Sequence, residues 1–167
     1  MGPRVFYVLF FINIHTRKVH IAGITKHPKK EWITETTKTL KFLCDESKTD
    51  TKKLLIRDRD TKFTEEFDQI LKSHGIEIKE LPYKSPNLNP YAEAWVSTIK
   101  RECLDYFAVF GKEHFEYLVK EYANYYNTLR PHSGLNDRPP ESVETKSNKD
   151  IHCDSRLGGL TKHYYRG

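Results

Sequence analysis

The stretch from Leu54 to Lys100 constrains this chain most. An apolar run ends in Arg57-Asp58-Arg59-Asp60, and a well-marked helix start follows at Asn89-Pro90-Tyr91-Ala92-Glu93. One carboxylate at a strand end and another in the first turn of a helix can converge on a divalent cation, the arrangement used in two-metal phosphoryl transfer. Each position alone is ordinary, because Asp commonly follows a strand and Glu is favoured near a helix N-terminus. The flanking residues therefore have to decide.

With 167 residues the chain can bury one respectable core. Twenty-eight Lys and Arg against 23 Asp and Glu leave a net charge of +5, which suits a polyanion and equally suits a solvated surface. The longest apolar run, Val5–Ile12, is too short to span a bilayer and lacks a cleavage pattern, so no membrane partner is expected. Three widely spaced cysteines, Cys44, Cys103 and Cys153, point to a reducing, cytoplasmic setting. No CxxC or HxxxH spacing occurs, which argues against structural zinc, and the neighbours His152 and Cys153 sit in a polar tail.

Periodicity sets out the elements. Val5–Ile14 reads as a strand buried on both faces, His15–Lys18 as a turn, and Val19, Ile21 and Ile24 as a second strand, forming a hairpin over Val5–Thr25. Trp32, Ile33, Leu40 and Leu43 ride on a helix from about Lys30 to Asp45, followed by a polar loop over Glu46–Lys53. Leu54–Arg57 is a short strand. Phe63, Phe67, Ile70 and Leu71 have helical spacing, with Asp60 as a turn residue capping a helix from Thr61 and Gly75 closing it. Ile76–Leu81 is a further strand, and Pro82–Leu88 a mobile loop.

Asn89 and Pro90 suit the N-cap and first position of the next helix. Ala92, Trp95, Val96, Ile99 and Cys103 form its apolar stripe, while Glu93, Ser97, Lys100 and Leu104 fall on an adjoining face. Taken without context, Glu93 and Lys100 read first as an exposed helical charge pair. After Phe110-Gly111 a second helix spans about Lys112 to Leu129, with Phe115, Leu118, Val119, Tyr122 and Tyr126 on one side. Glu141–Ser155 reads as a polar linker, and Arg156–Arg166 regains apolar character. The element order is that of an α/β domain.

The residues Ile56–Phe63 and Ser85–Glu93, then Trp95-Val96, Thr98–Glu102, Tyr125-Tyr126-Asn127 and Arg130-Pro131-His132 with Leu135, resemble the catalytic core of retroviral-integrase-type (DDE) transposases of bacterial insertion sequences. The similarity extends from Val5 to about Ser142. It implies a ribonuclease-H-like mixed sheet flanked by helices and an integrase core over 1–142, with 143–167 as a polar linker and basic aromatic tail. It further implies DNA (element ends and target) as substrate, Mg²⁺ or Mn²⁺ as cofactor, a homo-multimer or a full-length transposase as partner, and a nucleoid-associated location. By resemblance Asp58 is the second acidic metal ligand and Glu93 the third. Asp60 stands where relatives often carry Gly. Lys100 resembles a helix lysine that contacts DNA near the reacting phosphate. Lys62, Asn87, Asn89, Tyr91 and Arg130 stand at positions implied to approach DNA. Capping explains Asn89 equally well, and Asn127, Arg130 and His132 also suit the fixing of a helix end. In complete relatives two metals activate a water or a DNA 3′-hydroxyl for in-line attack, with no covalent protein–DNA intermediate.

The same comparison exposes a gap. The family's first Asp lies on a central strand ahead of the hairpin, and Val5–Ile14 matches the second strand. Met1–Arg4 contains no acid, and none occurs before Glu31. The expectation is therefore a core lacking its first strand, through a truncated frame, a mis-called start or a decayed element, with impaired strand transfer. The alternative is an inactive remnant that binds DNA or a full-length partner. A host nuclease of the same fold explains Asp58 and Glu93 but not the YN…RPH ending.

Overall fold

The computed structural model describes residues 5–39, 53–82, 89–141 and 150–166. Leu40, Leu43, Cys44, most of the proline-containing loop, Asn87 and the first half of the expected linker lie outside them. The chain divides into two units, residues 1–9 with 22–90 and residues 10–21 with 91–167.

In the first unit, β1 (Tyr7–Ile12) contributes its first half and β2 (Val19–Thr25) its second. These two strands pair. β1 is not buried on both faces as its composition suggests: Tyr7 is exposed and the rest are half-buried. A two-stranded sheet has too few neighbours to enclose a strand. Gly23 of β2 admits the Trp32 ring, since a Cβ there would stand 2.8 Å from it. Trp32 belongs to α1 (Lys30–Lys38), which buries Ile33, Thr34 and Thr37.

β3 (Lys53–Arg57), α2 (Glu65–Ser73) and β4 (Ile76–Glu80) form a βαβ unit. The strands are parallel, with Lys53 opposite Ile76 and Arg57 opposite Glu80. α2 packs on β4 and α1 through Phe67 and Leu71, both almost wholly buried. The helix starts at Glu65, not Thr61: Thr64 is the cap, its hydroxyl accepting from the Phe67 amide at 3.3 Å. Three acids in the first turn and Lys72 in the last complement the helix dipole.

The second unit is built on α3 (Pro90–Glu102) and α4 (Lys112–Thr128). Trp95 and Ile99 of α3 are buried, as are Cys103 just beyond its end and Leu118, Val119, Tyr122, Ala123 and Tyr126 of α4. Trp95 meets Tyr126 edge-on at 4.7 Å between centroids, a favoured aromatic geometry. Burial pushes the Cys103 thiol up to about 11, so it behaves as a small hydrophobe.

Two expectations change here. The single mixed sheet is, among the described residues, three separate two-stranded sheets. And Ile151–Arg156 is not linker but a strand, β5, antiparallel to β6 (Thr161–Arg166). The turn between them carries Leu157, Gly158 and Gly159 at φ 52°, 63° and 93°, a left-handed run that the two glycines make affordable.

Candidate catalytic and nucleic-acid site

β3 delivers the first candidate acid. Arg57 at its end is 7% exposed and grips Asp68 of α2 through two bonds, at 3.2 and 2.9 Å, and Glu80 of β4 at 2.6 Å. Its carbonyl accepts the Leu81 amide at 2.9 Å. The strand end is thus fixed on both sides, and the next residue, Asp58, stands exposed. Asp58 Oδ1 accepts a long bond, 3.3 Å, from the Asp60 amide.

Asp60 has a local task instead. Its carboxylate accepts from the Lys62 amide at 2.9 Å and pairs with Lys62 Nζ at 2.8 Å. Burial works against its charge, yet the Lys62 bonds outweigh burial and hold the Asp60 carboxyl below its ordinary range. Lys62, still partly exposed, is therefore already engaged by an acid two residues away.

The second candidate acid lies on α3. Glu93 is in the first turn and Lys100 in the last, both exposed. Together with Ala92, Val96 and Ser97 they line an open groove of about 470 Å³. The helical spacing thus places an acid, a hydroxyl and a base along one trough, as the sequence pattern predicts. Ala92 and Val96 serve as its apolar floor instead of entering the core with Trp95 and Ile99. Asn89 directly precedes this helix and is half-buried.

Tyr91 has a partner that no local pattern foretells. Arg17, in the turn between β1 and β2, lies over its ring at 3.8 Å from the centroid. Arg17 adopts φ 64°, a conformation that costs a non-glycine residue about 1 kcal/mol, and its guanidinium also bonds the Ile14 carbonyl. A cation stacked on an aromatic at the start of α3 adds positive charge beside the groove-bearing helix.

The YN…RPH segment forms a lock. Asn127 makes a two-point clamp on Val19, accepting its amide at 2.9 Å and donating to its carbonyl at 2.8 Å. Arg130 chelates Glu102 with two bonds of 2.7 Å, and the Tyr122 hydroxyl donates to the same carboxylate at 2.6 Å. Arg130, outweighing burial and joined by Tyr122, pulls Glu102 down to about 2. Burial pushes the Tyr122 phenol far up, so it remains a donor. His132 packs edge-on against Tyr126 at 4.4 Å, and burial lowers its basicity. Nothing in the local sequence pairs Glu102 with Arg130. The helical period of α3 marks it as a surface acid, and only the return of the chain after α4 brings the guanidinium to it.

Mg²⁺ demands near-octahedral oxygen coordination. Asp58 and Glu93 are donors of the right chemistry, but among the described residues no group of three or more His, Cys, Asp or Glu comes together to hold a metal. The described residues do not by themselves fit a complete two-metal centre.

No helix among the described residues is long and apolar enough to cross a membrane. Residues 74–140 match the Integrase core domain family, less than half of the chain. Glu93, Lys100 and Arg130 fall inside the matched stretch; Asp58 and Lys62 fall outside. No curated protein matches the sequence. Among solved structures the chain is similar to one in the cryo-EM structure of the simian T-cell lymphotropic virus intasome in complex with the PP2A regulatory subunit B56 gamma. The TM-score is 0.58 at 10% identity, over 97% of this chain and 65% of that one. The chain therefore spans under two thirds of that chain's length, and at this identity the two share a fold.

Proposed function

We propose that the chain is a DDE-type transposase or integrase catalytic core from a bacterial insertion sequence. Its task is metal-dependent DNA strand transfer in integration and transposition. The observation that carries this reading is the α3 groove, where Glu93, Ser97 and Lys100 lie together inside the stretch that matches the Integrase core domain. A carboxylate and an ammonium in one open trough suit a phosphodiester backbone and a hard cation.

Asp58 and Glu93 are the proposed ligands for Mg²⁺ or Mn²⁺, which when bound would supply Lewis-acid activation. Lys100, Tyr91, Asn89, Asn87 and Lys62 are the proposed DNA contacts. Arg130 takes the smallest share, because Glu102 already occupies its guanidinium. DNA and a second copy or full-length transposase are the proposed partners, at the nucleoid of a bacterial cytoplasm.

That no group of three or more such donors gathers among the described residues favours a second reading, a catalytically inactive remnant that binds DNA or a full-length partner. Mn²⁺-dependent nicking of end-labelled duplex DNA separates the two. Nicking that disappears in Glu93→Gln supports the enzyme. Salt-sensitive, sequence-indifferent binding without nicking supports the remnant. Nicking that persists unchanged in Glu93→Gln rejects the role given to this residue.

A further inference from the structure

The β5–β6 ribbon has two unlike faces. Its register sets Ile151 opposite Arg166, Cys153 opposite Tyr164 and Ser155 opposite Lys162, and side chains alternate along a strand. These six residues therefore share one face. The other face is tied down near the turn: Arg156 bonds Glu121 of α4 at 3.4 Å and Asp154 at 3.1 Å, and Thr161 is buried. Leu157 in the turn is buried as well.

All six residues of the first face are exposed, Ile151 at 67% and Tyr164 at 64%. It carries two cations, Lys162 and Arg166, and no carboxylate. The acid within the ladder, Asp154, lies on the opposite face and is bonded by Arg156. Tyr164 stands between the two cations at strand intervals of about 6.8 Å. Alternating positive charge and flat aromatic surface is what a single-stranded polynucleotide requires, its phosphates taken by cations and an unpaired base stacked on a ring. A ribbon that served only to cover α4 would have no use for an exposed tyrosine flanked by cations on its outer face.

We infer that this face is a second DNA-contact surface, binding single-stranded DNA through Lys162 and Arg166 at phosphates and Tyr164 against a base. The inference rests on the DNA-acting function proposed above, and it adds a surface distinct from the α3 groove.

The test is fluorescence anisotropy of a labelled single-stranded oligonucleotide and the matching duplex, titrated without divalent metal against the whole chain. The paired substitution Lys162→Ala and Arg166→Ala should reduce the slope of log affinity against log salt by about 1.4 on single strands, at roughly 0.7 per phosphate. Tyr164→Ala should weaken single-strand binding about tenfold and duplex binding less than about twofold, with Tyr164→Phe retaining the wild-type affinity. All three side chains are exposed, so thermal unfolding should be unchanged and reports on folding separately. An unchanged slope and affinity in these variants, alongside weakened binding in Lys100→Ala, would overturn the ribbon surface and leave the core reading standing. Equal losses on duplex and single strand in Tyr164→Ala would overturn the stacking contact. Ribbon variants that behave as expected in a chain without metal-dependent nicking would leave the surface standing and count against the enzyme.

Discussion

Arg57 in the first unit and Arg130 in the second each chelate a carboxylate through two bonds, but their surroundings differ. Arg57 is 7% exposed and neutralises two acids, Asp68 and Glu80, drawn from two different elements. Arg130 is 23% exposed and serves one acid, Glu102, which a tyrosine shares. Arg57 immediately precedes its candidate ligand Asp58, whereas Glu102 stands at the far end of α3 from Glu93. Both networks hold the backbone that carries a candidate acid while leaving that acid exposed. A buried network next to the site fixes a strand end directly; a half-buried network at a distance fixes a whole helix.

Breaking the deeper network should cost most. Arg57→Ala leaves Asp68 and Glu80 facing a vacated site and should lower unfolding stability by about 3 kcal/mol, read by urea denaturation. The clamp of the second unit comes next. Asn127→Ala strands the amide and carbonyl of Val19 in a buried position and should cost about 2 kcal/mol in the same measurement.

The smallest effect should come from Glu102→Gln, about 1 kcal/mol at neutral pH, and it sharpens the contrast through acid sensitivity. Glu102 lies at about 2 in the fold against 4.5 as a free side chain. The folded state therefore prefers the carboxylate, so its contribution is complete above about pH 4.5 and fades as pH falls toward 2. Thermal melts of the parent chain across that window should drop more steeply than those of Glu102→Gln. Identical slopes would remove Glu102 from the lock.

The helices were the most legible part of the chain. α4 declares itself through Leu118, Val119, Tyr122 and Tyr126, because a helix buries one stripe and its period is local. The Glu93–Lys100 face was legible for the same reason. Asp60 shows where local logic stops. Its position suggests a helix cap, but Thr64 supplies the hydroxyl next to the first turn, and Lys62 claims the carboxylate. The C-terminal ribbon was missed because its strands are mostly polar. Gly158-Gly159 was the available signal, a pair able to sustain left-handed backbone between two short strands.

The order of elements from β1 to α4, the positions of α3 and α4 and the common face of Glu93 and Lys100 follow from residue spacing alone, since each depends on contacts a few positions apart. The grip of Arg57 on Asp68 and Glu80, the clamp of Asn127 on Val19 and the stacking of Arg17 on Tyr91 belong to the folded chain. Each joins residues that no local period relates, and a charge or an amide finds such a partner only once packing has excluded water around it.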